Sequence, residues 1–146
     1  MRTAKILAAM ACLVAASAVA ASEVALEKHG GALTVTATFN GRFTGRFLLD
    51  TGATYCVVSK DVGRKAKIKG RVGGETVRLI TANGVIEASL GEARRIEIGR
   101  ESARDVKVAV VSDDPVPGLD GILGLSFLGQ FSYSVDLDSS VLRLER

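Results

Sequence analysis

In the stretch RFLLDTGATYCVVS, residues 46–59, a single carboxylate, Asp50, follows an apolar run and opens a turn of small residues. A carboxylate in that place can take a proton from water or give one to a carbonyl oxygen, which is general acid–base chemistry. Thr51 sets a hydroxyl beside the acid. Gly52 lets its backbone amide face the neighbouring carboxylate, and Ala53 keeps the surroundings uncrowded. Asp-Thr-Gly by itself is also an ordinary turn, so the remaining candidates and the downstream sequence decide. His29, the one histidine, stands in a polar segment and reads as a solvated residue. Cys56 stands in an apolar run and reads as an inert core thiol, which sets a conceivable Cys56/His29 nucleophile pair behind Asp50. No histidine or cysteine cluster has metal-site spacing, and no metal or cofactor is expected.

A lone acid at a strand end needs a frame of short strands, and the periodicity supplies one. Residues 32–39 alternate, with Leu33, Val35, Ala37 and Phe39 on one side and threonines on the other, as a half-buried strand does. Asn40-Gly41 then gives a hairpin signal, because both turn residues tolerate positive φ. A second strand, residues 42–49, runs into Asp50. Residues 55–58 read as a buried strand, and 60–66 as a short helical turn. Residues 76–81 and 85–90 flank Ala82-Asn83-Gly84 as a second hairpin. Further strands are expected at 94–98, 106–111, 133–137 and 141–144, with a turn-rich loop at 113–118. The one strong helix signal runs from Leu125 to about Phe131. Ile122-Leu123-Gly124 read alone is a buried strand end. Many short strands separated by turns predict an all-β barrel or sandwich.

The run Leu48-Leu49-Asp50-Thr51-Gly52-Ala53 resembles the active-site motif of aspartic proteases, two apolar residues followed by Asp-Thr-Gly-Ala. Downstream, Asp120 to Leu128 resembles that family's second element, in which Ile122-Leu123-Gly124 passes beside the catalytic turn and leads into a helix. Ala82-Asn83-Gly84 falls where the family carries the tip of a hairpin flap. Residues 131–138 and 141–144 resemble the closing strands of the bacterial retropepsin-like group, which is single-domain and like the retroviral proteases. The resemblance runs from about Gly31 to Leu144. It implies a retropepsin-like closed β-barrel, the acid-protease fold, with one short C-terminal helix.

The same resemblance implies an aspartic endopeptidase acting on peptides or proteins without a cofactor. Two-lobed family members carry two motifs, whereas this sequence has one. Asp138-Ser139-Ser140 lacks the glycine and lies in an apparent hairpin turn. The second carboxylate is therefore expected from a homodimer, in which Asp50 meets its symmetry mate. Thr51 would brace that dyad, the Gly52 amide would help to hold the carboxylates, and the hairpin around Asn83 would cover the substrate. The alternative is the same fold without activity, a peptide-binding or scaffold module of the cell envelope.

The sequence has 146 residues, which suits one domain with a modest core. Met-Arg-Thr-Ala-Lys, an apolar run over residues 6–16 and small residues at Ala18 and Ala20 form the three-part pattern of a secretory signal cleaved after Ala20. An uncleaved anchor is the alternative, although about fifteen weakly apolar residues fall short of the roughly 20 that a spanning helix needs. This predicts a signal at 1–20, a short lead at 21–31 and the protease-like domain at 32–146, in an exported, periplasmic or secreted protein with no stable membrane span. Cleavage removes Arg2 and Lys5 from 19 basic residues, which leaves 17 against 16 acidic ones. Nothing in that balance calls for nucleic acid. Cleavage also removes Cys12, leaving Cys56 without a disulfide partner, so the core must hold the fold unaided.

Overall fold

Strands begin earlier in the chain than its sequence signals. The computed structural model describes residues 20–70 and 74–146. Apart from Ala20, the leader expected over 1–20 lies outside the described residues. Residues 21–31, expected as a lead, instead supply β1 (Ser22–Ala25) and β2 (Glu27–His29). The alternating run becomes β3 (Ala32–Phe39), and Asn40-Gly41, with φ of 54° and 63°, turns the chain into β4 (Phe43–Leu49). After the Asp50 turn come β5 (Cys56–Ser59) and α1 (Lys60–Lys65). Ser59 caps α1 by accepting from the Val62 amide at 3.4 Å.

The middle of the chain departs from the expected pattern. β6 (Lys69–Gly70) and β7 (Thr76–Thr81) precede β8, which runs unbroken over Gly84–Ile98 instead of as two short strands. Gly91 is no break. A side chain there would meet Ile68 Cγ2 at 2.7 Å and the Lys69 carbonyl at 2.9 Å, so the glycine admits β6 against β8. β9 (Glu101–Val111), β10 (Gly121–Leu123), α2 (Leu125–Leu128), β11 (Ser132–Asp136) and β12 (Val141–Glu145) complete the chain. α2 stops short of the expected Phe131. The Gln130 and Phe131 amides bond three residues back, to the Phe127 and Leu128 carbonyls, and this tightened turn delivers Phe131 beside Phe127, ring centres 5.3 Å apart.

Pairing closes the sheet on itself. β3 joins β4, β4 joins β10, β10 joins β5, β5 joins β9 and β9 joins β8. β8 returns to β3 through Thr38↔Glu97 and Phe39↔Ile96. This is the closed β-barrel expected from the resemblance. Phe39 and Phe47 stack at 4.7 Å inside it, both fully buried with Ile96, Leu123 and Phe127; each such side chain contributes about 1.5–3 kcal/mol. β1, β12 and β11 form a separate three-stranded sheet that sends Val24, Leu142 and Leu144 into the same core. Among the described residues no helix is long and apolar enough to cross a membrane.

Asn40 ties three parts of this frame. Its Nδ2 donates to the Ala66 carbonyl at 2.9 Å and the Lys67 carbonyl at 3.3 Å, and its Oδ1 accepts from the Arg95 amide at 3.1 Å. Asn40→Ala is expected to cost about 2–3 kcal/mol, since it removes these bonds and leaves a residue less suited to left-handed backbone. Asn40→Gly relaxes the backbone and should cost less; equal shifts of the denaturation midpoint in the two variants would contradict this account. Burial pushes the Cys56 thiol up, so it stays protonated and unreactive in the native state. Alkylation read at Cys56 by mass spectrometry should appear only through the unfolding transition, and rapid labelling of folded protein would show the site to be open.

Candidate active site

The placement of Asp50 starts with β10, which runs between β4 and β5. It is parallel to β4, with Ile122 opposite Leu48 and Leu123 opposite Leu49, and antiparallel to β5. One residue further on, the Asp50 amide donates to the Leu123 carbonyl at 3.1 Å. The chain then turns sharply. The Gly52 amide donates to Asp50 Oδ1 at 2.8 Å, and the Ala53 amide to the Asp50 carbonyl at 3.3 Å. One carboxylate oxygen is thus fixed by a backbone donor while the half-buried side chain stays open to the cleft.

The start of α2 holds the far side of this turn. Leu125 and Ser126 donate their amides to the carbonyls of Ala53 and Thr54 at 2.8 and 2.9 Å. Such close approach needs Gly124, because a Cβ there would lie 2.3 Å from the Tyr55 carbonyl and 2.7 Å from that of Ala53. Sequence reasoning gave no separate role to Ser126, whose hydroxyl accepts from the Cys56 amide at 2.8 Å and donates to the Lys107 carbonyl at 2.7 Å. Asp120, in the sequence only the first residue of the second element, also has a bonding role. Its Oδ2 accepts from the Arg46 amide at 2.8 Å and its own amide donates to the Arg46 carbonyl at 2.9 Å, pinning β10 to β4. Neither residue type marks such bonds in the sequence; only the crossing of β10 shows what they join.

Above the turn lies a cleft of about 620 Å³. Leu48, Asp50, Gly52, Ala53 and Ile122 line one side of it, and Thr81, Ala82 and Asn83 of the β7–β8 hairpin line another. Pro115 and Val116, from a loop read in the sequence only as turn-rich, supply a further wall. The hairpin's register corrects one detail. Thr81 pairs with Gly84, so Ala82-Asn83 form the two-residue loop, and of Asn83-Gly84 only Gly84 has positive φ, 117°. The Thr81 hydroxyl braces the tip by donating to the Gly84 carbonyl at 2.8 Å and accepting from the Asn83 amide at 3.2 Å.

Not every expected residue faces this space. Thr51 is exposed on the turn, Leu123 is wholly buried behind it, and Gly124 is packed against backbone. Cys56 is closed in the core while His29 is exposed on β2, and no hydrogen bond joins them. Asp138 sits in the β11–β12 turn, where its amide and that of Ser139 donate to Asp136. Those donors, Ser139 foremost, hold the Asp136 carboxyl below the usual range. Among the described residues no group of acidic, histidine or cysteine side chains could hold a metal, and Asp50 is the sole carboxylate lining the cleft.

The comparisons with known proteins agree with this geometry. A family described as aspartyl protease matches residues 35–127, from β3 into α2. Among solved structures, a retropepsin-like aspartic protease from Rickettsia conorii is similar with a TM-score of 0.63 and 23% sequence identity, covering 86% of this chain and 89% of that one. At that identity the likeness speaks for the fold. No curated protein matches significantly. Because the family match takes in well over half of the sequence and contains both the Asp50 turn and the strand that supports it, the chain belongs to the aspartyl protease family.

Proposed function

We propose that the protein is an exported aspartic endopeptidase, active as a homodimer whose catalytic dyad is Asp50 and the Asp50 of a second copy. The observation that carries this reading is a cleft with an Asp-Thr-Gly turn on its wall and, among the described residues, no second carboxylate along it. One acid cannot act at once as base toward water and as acid toward the carbonyl. Two carboxylates about 3 Å apart can, because repulsion keeps one proton between them and the pair titrates in two coupled steps.

Hydrolysis then proceeds without a covalent intermediate. The ionised Asp50 takes a proton from water as the water oxygen attacks the peptide carbon, and the protonated Asp50 gives its proton to the carbonyl oxygen. Collapse of the resulting diol breaks the C–N bond as one Asp50 gives its proton to the leaving nitrogen and a diol hydroxyl returns a proton to the other, which restores the singly protonated dyad. The Gly52 amide, already 2.8 Å from Oδ1, keeps the carboxylate oriented. Thr51, exposed beside it, would brace the pair across the axis, and the hairpin at Ala82-Asn83-Gly84 would close over an extended peptide and exclude water. The leader read over residues 1–20 supports export.

Asp50→Asn should lower peptide hydrolysis by roughly a thousandfold or more, measured on purified protein freed of its leader, with dimer formation by sedimentation unchanged. Peptide binding without hydrolysis by the unaltered protein would favour the inactive, peptide-binding alternative. Mixing is a sharper probe of a dyad shared between copies. When unaltered and Asp50→Asn subunits exchange freely, activity should fall as the square of the unaltered fraction. A linear decline would mean that each copy works alone.

A further inference from the structure

Apart from Asp50, the cleft has one fully charged side chain on its lining, Arg78 of β7. Around both, the walls are largely apolar, with Leu48, Val57, Leu79 and Ile122 among them. Arg78 is exposed, and among the described residues it takes part in no salt bridge, whereas Arg46, Arg95, Arg143 and Arg146 each hold an acidic partner. A natural partner is close by. Glu87 stands directly opposite Arg78 in the β7–β8 register, yet no ion pair joins them. Glu87 instead lines an adjoining cavity of about 390 Å³ together with Asp113 and Asp114. Arg78 thus lines the Asp50 cleft and Glu87 the acidic cavity beside it, two spaces that meet along Thr81, Asn83, Ile86 and Pro115.

A guanidinium is charged at every relevant pH and offers a planar fork of donors that matches a carboxylate. Because Arg78 is exposed, water screens such a pair and the gain in affinity is modest. The acidic cavity adds to the preference, since a ligand carboxylate placed there would meet Glu87, Asp113 and Asp114. Resting on the endopeptidase reading, we propose that Arg78 is a specificity-determining residue that receives a substrate carboxylate, so that the preferred peptides are apolar with one acidic group near the scissile bond. A two-fold axis would set one Arg78 on each side of the dyad, and the acidic group could then lie on either side of that bond. The carboxylate has two sources, an Asp or Glu side chain or the free end of a peptide chain.

Binding to the Asp50→Asn protein, read by fluorescence polarisation, separates selectivity from turnover. The probes are short apolar peptides, amidated at the C-terminus, with one position scanned through Glu, Gln and Lys, and the Gln peptide repeated with a free C-terminus. The Glu peptide should bind roughly three- to tenfold tighter than the Gln peptide at its best position, and the gap should narrow with added salt. Adding Arg78→Gln should level the two, and Arg78→Glu should reverse the order in favour of Lys. Loss of packing could weaken all peptides alike but could not reverse their order. Tight binding confined to the free C-terminus would support Arg78 and assign the carboxylate to the chain end. Equal binding of the Glu and Gln peptides without a free-end effect, a preference that survives Arg78→Glu, or no binding at all would overturn the inference. Failure of the unaltered protein to cleave peptides that the Asp50→Asn form binds selectively would count against the endopeptidase reading alone.

Discussion

The whole site depends on how closely three stretches of backbone approach one another where β10 crosses between β4 and β5. At Gly121 an added Cβ would stand 2.3 Å from the Val57 carbonyl, and at Gly124 another would stand 2.3 Å from that of Tyr55. These contacts let Leu123 offer its carbonyl to the Asp50 amide and let α2 begin by bonding Ala53 and Thr54. The acid is held by main chain on both sides, and main-chain bonds in a closed barrel have little freedom to drift. Preorganisation of this kind gives a carboxylate a fixed direction before any substrate arrives. Enlarging either glycine would push apart the strands that define that direction.

Much of this was legible in the sequence because it rests on local rules. Alternation gave β3, the small-residue turn gave the strand end at Asp50, and Asn40-Gly41 gave a turn whose φ angles match the expectation. What stayed hidden was long-range. Ser22 to Ala25 carries too short a pattern to read as a strand, and becomes one because β12 offers a partner, Ser22 opposite Leu144. The two strands read at 85–90 and 94–98 merge into one, with β6 lying against Gly91 between them. Ser126 and Asp120 bond groups 70 and 74 residues away in sequence, and no local pattern encodes such partners. The residues that line the cleft from the 113–118 loop are of the same kind, since Pro115 and Val116 signal only a turn.

The protein also separates what holds the fold from what forms the cleft. The main core gathers Phe39, Phe47, Phe127 and their neighbours inside the barrel, and a smaller apolar cluster of Val57, Ala88, Ala109 and Val111 lies apart from it. Tyr55, Val77, Leu79 and Ile122 pack on this second cluster, and all of these except Val77 also line the cleft. The hairpin is thus seated on the surface beside Asp50 and not on the barrel core. Its movement would disturb the small cluster while leaving the large one intact, which suits an element of low local stability.

That seating bears on how a peptide could enter. Leu79 is half-buried against the small cluster, whereas Ile80, the next residue, is 88% exposed and Val85, opposite it, is 51% exposed. Alternation along β7 thus sets Leu79 down on the cluster and Ile80 at the open edge of the cleft, with Arg78 on the same side of the strand as Ile80. Lifting the hairpin would expose Leu79 at a cost of about 1–2 kcal/mol, and apolar peptide side chains beneath it would offset that cost by covering the same surface. A polar peptide would supply no such compensation. On the proposed reading, the hairpin's own burial would bias the cleft toward apolar ligands and leave Arg78 to discriminate among them.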